Sequence, residues 1–87
     1  MEETIVIMTQ CRNNYGSYVE FKIKGGEFIG EVDRSDKSYK VFFNRDLIAV
    51  RSNKDSAIRQ LQRRIKEVYG EDVKFRWNVM TYKYTLV

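Results

Sequence analysis

Histidine and proline are both absent from this 87-residue chain, and cysteine occurs once. Without histidine the sequence has no Ser-His-Asp triad and lacks the commonest zinc ligand. Cys11 has no histidine to generate its thiolate and no second cysteine to pair with, so we interpret it as a small buried apolar residue. These absences predict a protein that is not an enzyme and binds no metal or cofactor.

Long apolar runs and phosphate-binding glycine motifs are also missing. No stretch approaches the roughly 18 apolar residues of a membrane span, and the acidic start Met1-Glu2-Glu3 is unlike a secretory signal. Gly25-Gly26 and Gly30 form neither a dinucleotide-binding fingerprint nor a P-loop. With one cysteine and this length, we expect a single cytoplasmic domain over residues 1–87, with no membrane partner.

The clearest positive signal is an amphipathic helix over residues 52–70. Ile58, Leu61, Ile65 and Val68 recur at the spacing of one helical stripe. We expect the helix to start at Ser52 or Asn53, where Ser52-Asn53-Lys54-Asp55 fits a capping box, and to end at Gly70 in a left-handed stop.

Alternating apolar residues predict strands on both sides of that helix. The predicted strands cover 4–11, 17–24, 27–33, 39–43 and 73–79, and 47–51 is a short extension or a buried connection. Sequential strands separated by short polar turns favour neighbouring antiparallel pairs, and Gly25-Gly26 predicts a two-residue hairpin. The prediction is an α+β fold, an antiparallel sheet of four to six strands with one long helix on one face. Its expected core is Ile5, Ile7, Phe21, Ile23, Val41, Phe43, Ile58, Leu61, Ile65, Val68, Phe75 and Trp77.

The positive charge lies in the second half of the chain. Residues 1–50 hold 7 basic and 8 acidic side chains, whereas residues 51–87 hold 9 basic and 4 acidic ones. Such a field attracts polyanions, although it also serves solubility. The candidate contacts fall in two groups. The first group is the polar side of the helix together with its start and the residue just before it: Arg51, Lys54, Arg59, Arg63 and Lys66. The second group is in the C-terminal segment: Lys74, Arg76, Tyr82, Lys83 and Tyr84.

The apolar pattern of the C-terminal segment changes phase. Phe75 and Trp77 are odd-numbered, whereas Tyr82 and Tyr84 are even-numbered. We therefore expect a bulge or tight turn near Met80-Thr81; without such a break, the two tyrosines lie on the exposed face.

Acidic residues form a weaker candidate. Clustered carboxylates can hold Mg²⁺, and Glu27, Glu31, Asp33 and Asp36 lie close together in the sequence. Glu20-Phe21-Lys22 has the acid-x-Lys form of restriction-type nucleases, but no aspartate precedes Glu20. We interpret these acids as a solvated turn.

The order strand, strand, helix over residues 28–69 resembles two families. One is the three-strand DNA-binding domain of AP2 type and of integrase arm-binding domains, whose sheet face implies contacts by Lys22, Lys24, Tyr39 and Lys40. The other is the HicB-like antitoxin core. The tryptophan and glycine positions of the first and the proline of the second, which would fall near Asn44, are absent. The sequence therefore assigns no family.

Two functions follow from these patterns. The first is a non-enzymatic module that binds nucleic acid through the basic helix face and the basic, aromatic C-terminal strand. The alternative is a phage or mobile-element inhibitor, of anti-CRISPR or anti-host-defence style, whose positive surface occupies an acidic or nucleic-acid-binding site on a host protein. A homodimer through an exposed edge strand is compatible with either.

Overall fold

A computed structural model describes residues 3–14 and 16–78. Six strands form one sheet, and one helix packs on it. This confirms the predicted α+β fold. The elements are β1 (Ile5–Asn13), β2 (Gly16–Ile23), β3 (Phe28–Ser35), β4 (Ser38–Phe43), β5 (Asp46–Arg51), α1 (Lys54–Tyr69) and β6 (Lys74–Trp77).

The strand order is β5-β4-β3-β2-β1-β6. The first five strands form an antiparallel meander, and α1 then carries the chain back across the sheet to the edge where it began. Because odd-numbered strands of the meander share one direction and α1 reverses the chain once, β6 runs parallel to β1. The sheet is therefore mostly antiparallel, with one parallel pair that the sequence did not predict.

The turns between β3 and β4 and between β4 and β5 are each two residues long. Asn44 and Arg45 join β4 to β5, and both have positive φ, 50° and 71°. This is the backbone sign that matches strand twist in tight hairpins. The predicted two-residue hairpin at Gly25-Gly26 is wrong, since the β2–β3 pairing shifts by one residue at a bulge and the Ile23 amide bonds to the Glu27 carbonyl at 2.9 Å.

Both ends of α1 are capped by the residues that the sequence indicated. The Asn53 side chain accepts hydrogen bonds from the Asp55 and Ser56 amides at 2.8 and 3.2 Å, so Asn53 rather than Ser52 is the N-cap. Gly70 has φ 103° and ψ 166°, a positive-φ conformation suited to glycine but different from the left-handed helical stop that was expected.

The core lies between α1 and one face of the sheet, which we call the inner face. Its fully buried members include Val6, Phe21, Val32, Leu61 and Ile65. The complete buried set is Val6, Met8, Val19, Phe21, Ile29, Val32, Val41, Phe43, Ala57, Ile58, Leu61, Ile65 and Val73. Ile23 and Phe75 pack against this core while remaining partly exposed.

Four predicted core residues are not in the core. Ile5 and Ile7 are half-buried on the opposite, outer face, because the register of β1 turns Val6 and Met8 inward. Val68 is 57% exposed, since it lies in the last helical turn beyond Ile65. The fourth, Trp77, is 49% exposed at the end of the β6 edge strand.

Gly30 determines how closely the helix approaches the sheet. A Cβ at this position would lie 2.5 Å from the Phe42 carbonyl oxygen and 3.2 Å from both methyl groups of Leu61. Glycine at this point in β3 therefore leaves the space into which Leu61 fits. The backbone of α1 lies closest to β3, β4 and β5, and its side chains also reach β1, whereas β6 lies beyond β1 at the far edge of the sheet.

Candidate functional site

The predicted basic back of α1 is present as a surface. Arg59 and Arg63 are exposed and Lys66 is half-exposed, on the side of the helix away from the buried residues. We call these three residues the helix-back surface. Within residues 3–14 and 16–78 none of the three forms a salt bridge or a side-chain hydrogen bond. Their charges are therefore available to a partner.

The helix-back surface lines an open depression of about 400 Å³ together with Gln62, Glu67 and Glu71. Glu67 is paired with Arg64 at 3.5 Å, with both side chains about half exposed, so this ion pair contributes little stability. The two carboxylates make the depression mixed in sign, with one more positive than negative charge among its lining residues. It is too open and too charged to enclose an apolar small molecule.

Arg51 and Lys54, the other predicted contacts on this side, already have polar partners. Arg51 donates to the Gln60 side chain at 3.1 Å and to the Val50 carbonyl at 2.9 Å. The Lys54 ammonium donates to the Gln10 side-chain oxygen at 2.6 Å, which ties the start of α1 to β1. Both partners are neutral, so the two cations keep their charge but are less free to move than the helix-back surface.

Lys74 and Arg76 lie on the outer face and are separated from the helix-back surface by the sheet. In register they flank the β1 isoleucines, with Lys74 beside Ile5 and Arg76 beside Ile7. Lys22 lies beside Ile7 on the other side, in β2. With Lys24 next to Ile5, these form a basic sheet corner of four exposed cations: Lys22, Lys24, Lys74 and Arg76.

The two groups of predicted contacts therefore lie on two separate surfaces. Among the residues that the AP2-type resemblance indicated, Lys22, Lys24 and Lys40 lie on the outer face, whereas Tyr39 shares the inner face with Val41. The remaining predicted contacts, Tyr82, Lys83 and Tyr84, and the expected break near Met80-Thr81, lie outside the described residues.

Trp77 is an exposed aromatic on the same side of the sheet as α1. It pairs in register with Met8, which is buried, and the Gln62 amide of the helix lies 3.4 Å from the Met8 sulfur. Sequence reasoning missed this exposure because Trp77 alternates in phase with Val73 and Phe75, which both contribute to the core. The sequence signal that could have indicated this exposure was the position of Trp77 at the end of the short strand that follows the helix.

Three carboxylates meet in the middle of the outer face. Glu20 of β2 lies directly opposite Glu31 of β3, and Asp33 follows Glu31 on the same face. We call these residues the carboxylate cluster. Burial is the main cause that raises the pKa of Glu31 to about 7, followed by a hydrogen bond with Asp33 and repulsion from Asp33 and Glu20. The prediction of a solvated turn is wrong for Glu31 and Asp33, which lie within β3.

Glu31 holds its proton more readily than an isolated carboxylate does. One Asp33 oxygen, Oδ1, is buried and accepts no hydrogen bond from a permanent donor among the described residues. A protonated Glu31 can donate to Asp33, and this bond disappears when both groups ionise. In the part of the chain that the structure describes, no group of three or more acidic, cysteine or histidine residues is arranged to hold a metal ion.

Cys11 lies beside this cluster rather than in the core. Its sulfur is half-buried, 3.7 Å from a Glu20 carboxylate oxygen. Burial and the Glu20 charge raise the pKa of the Cys11 thiol above its ordinary value, which disfavours the thiolate. The environment is therefore the opposite of what a nucleophilic cysteine requires.

Comparison with known proteins assigns no relative: no protein-family model, curated protein or solved structure matches this chain. None of the helices in the described ranges is long and apolar enough to cross a membrane.

Proposed function

We propose that this protein is a non-enzymatic nucleic-acid-binding module that contacts phosphates through the helix-back surface, Arg59, Arg63 and Lys66. The observation that carries the proposal is that these cations occupy one exposed helix face without intramolecular ion pairs. They project from a helix whose other side is fixed by Leu61 and Ile65, so the surface is held on a rigid element.

The number of cations sets the expected salt dependence. Three phosphate contacts give a slope of log affinity against log salt concentration of about −2.7 for a duplex and about −2 for a single strand. Affinity for a duplex should then fall about 40-fold between 50 and 200 mM salt, and affinity for a single strand about 20-fold. The neighbouring carboxylates Glu67 and Glu71 act against binding, so we expect affinity in the micromolar range rather than tighter.

The test is fluorescence anisotropy with labelled oligonucleotides at several salt concentrations. Reversing two charges, Arg59→Glu with Arg63→Glu, should weaken binding at least tenfold and bring the salt slope towards about −1. The matched control is Lys74→Glu with Arg76→Glu, which makes the same charge change on the outer face.

The two double variants separate the two basic surfaces. If the control keeps most of the affinity and the helix variant loses it, the helix-back surface is the interface. Equal losses would indicate a nonspecific effect of net charge, and a larger loss in the control would move the interface to the basic sheet corner. Either of these results contradicts the proposal.

A second candidate is an inhibitor that binds a host protein through the same depression. The mixed signs of its lining favour this reading, because Glu67 and Glu71 share the lining with the cations and can pair with basic groups of a protein, whereas they repel phosphate. This candidate predicts no oligonucleotide binding at low salt and a stoichiometric complex with one protein.

A further inference from the structure

We propose that Trp77 is a base-stacking platform beside the helix-back surface and that the ligand is therefore single-stranded nucleic acid. This inference rests on the proposed function and adds the strandedness of the ligand and a residue that stacks on its bases.

The first support is the exposure of the indole. On the inner face, burial decreases from Val73, which precedes β6 and is 3% exposed, through the partly buried Phe75 to Trp77, which is 49% exposed. Phe75 is held by an edge-to-face contact with Phe21, at a ring separation of 6.3 Å. The strand is therefore anchored at one end and presents a large aromatic at the other, where α1 does not cover it.

The second support is the position of Trp77 relative to the cations. Register places Trp77 beside Met8, and Gln62 contacts the Met8 sulfur. Gln62 also lines the depression formed by the helix-back surface. Gln62 therefore lies between the cations and Met8, the register neighbour of Trp77, on one side of the sheet. A backbone could bind at the helix while a base reaches β6.

A second exposed aromatic lies on the same flank of the helix. Tyr69 is 42% exposed and follows Gln62 by seven residues, which is two helical turns and brings it to the same side. The flank of the helix that carries Gln62 therefore also carries an exposed aromatic ring.

Stacking selects single strands because an unpaired base has a free π-face, whereas the bases of a duplex are already stacked on one another. Stacking also tolerates any base, so we expect little sequence preference. A basic surface without an aromatic would bind both forms through phosphate alone.

The experiment uses the fact that Trp77 is the only tryptophan in the sequence. Its intrinsic fluorescence is recorded while unlabelled oligothymidine, an abasic oligomer of equal length and a duplex are added to the wild-type protein. The abasic oligomer keeps the phosphates and removes the bases. Affinities are measured in parallel by anisotropy with labelled versions of the three probes.

The expected result is quenching by oligothymidine, with about tenfold tighter binding than for the abasic oligomer. Trp77→Ser should abolish this preference for oligothymidine over the abasic oligomer, and Trp77→Phe should retain part of it. The matched control Val50→Ser removes a similarly exposed apolar side chain, 47% exposed, from the opposite edge strand and should change nothing.

The alternative outcomes distinguish this inference from the proposed function. Equal binding of oligothymidine and the abasic oligomer, without quenching, would leave phosphate binding intact and overturn the stacking role. Duplex binding as tight as single-strand binding would overturn the assignment of strandedness. Absence of binding by all three probes at low salt would overturn both proposals.

Discussion

Replacing Glu31 with glutamine should stabilise this protein, and more so at high pH. Glu31 lies between Glu20 and Asp33 on the outer face, and its pKa is raised to about 7 from an ordinary value of 4.5. Other titratable groups around the cluster on that face are Lys40, which lies opposite Asp33, and Cys11 and Tyr18, whose pKa values are also raised by burial. Glutamine keeps the size of the side chain and removes the charge.

The sign and size of the effect follow from proton linkage. The folded protein binds the Glu31 proton more tightly than the unfolded chain, so stability is fully present below pH 4.5 and is lost as the pH rises through 7. Each unit of pKa shift corresponds to about 1.4 kcal/mol. Glu31 is only partly buried, and solvent screening reduces the loss to about 1 kcal/mol. For a domain of this size that is a shift of about 4–8 °C in Tm.

Thermal unfolding at pH 5 and pH 8 measures this effect, with Glu27→Gln as the control. Glu27 is an exposed carboxylate in the loop before β3, so the chemical change is identical and the environment differs. No histidine is present to titrate between these pH values. Glu31→Gln should raise Tm at pH 8 and change it little at pH 5. An equal gain at both pH values, or the same gain in the control, would refute the linkage argument.

Two further predictions concern the packing of the helix on the sheet. Gly30→Ala should destabilise the fold by about 1–3 kcal/mol, because the new Cβ collides with the Phe42 carbonyl and pushes against Leu61; an unchanged midpoint in urea unfolding would contradict the close approach. Gly26→Ala, whose Cβ meets the Ile23 side chain at 3.3 Å, is the control. Leu61→Ala should cost about 2–5 kcal/mol in the same assay, and a small change would mean that the helix is not docked through this residue.

The fold could be predicted from the sequence wherever two independent signals agreed. The α1 stripe of Ile58, Leu61 and Ile65 coincided with an N-cap residue at one end and Gly70 at the other, and the helix has nearly the predicted bounds. In β2, strict alternation correctly placed Phe21 on the buried face. Periodicity and end signals are local properties of the chain, so they do not depend on the tertiary arrangement.

Prediction failed where the pattern was ambiguous and tertiary structure decided. Residues 5–8 of β1 are apolar at consecutive positions, so alternation could not choose between Ile7 and Met8 for the core. The register with β2 and β6 makes that choice. The predicted burial of Trp77 is wrong for another reason. Its phase on the strand is correct, but it lies at the end of the edge strand, away from the strands that the helix backbone approaches most closely. That position depends on the whole crossover rather than on the residues around Trp77.

In the carboxylate cluster, a strand pairing that follows from the sequence is correct, although the two-residue turn from which it follows is wrong. A two-residue turn at Gly25-Gly26 would place Glu20 opposite Glu31, and the structure has this pair even though a bulge lengthens the hairpin. The pairing of Glu20 with Glu31 could therefore be predicted from the sequence, whereas the interpretation of these acids as a solvated turn did not include it. What the sequence did not contain is the burial that raises the pKa of Glu31, because that depends on the side chains that the neighbouring strands place beside it, such as Phe42 of β4. The strand pairing brings these acids together, and partial desolvation on an otherwise open face raises the pKa of Glu31.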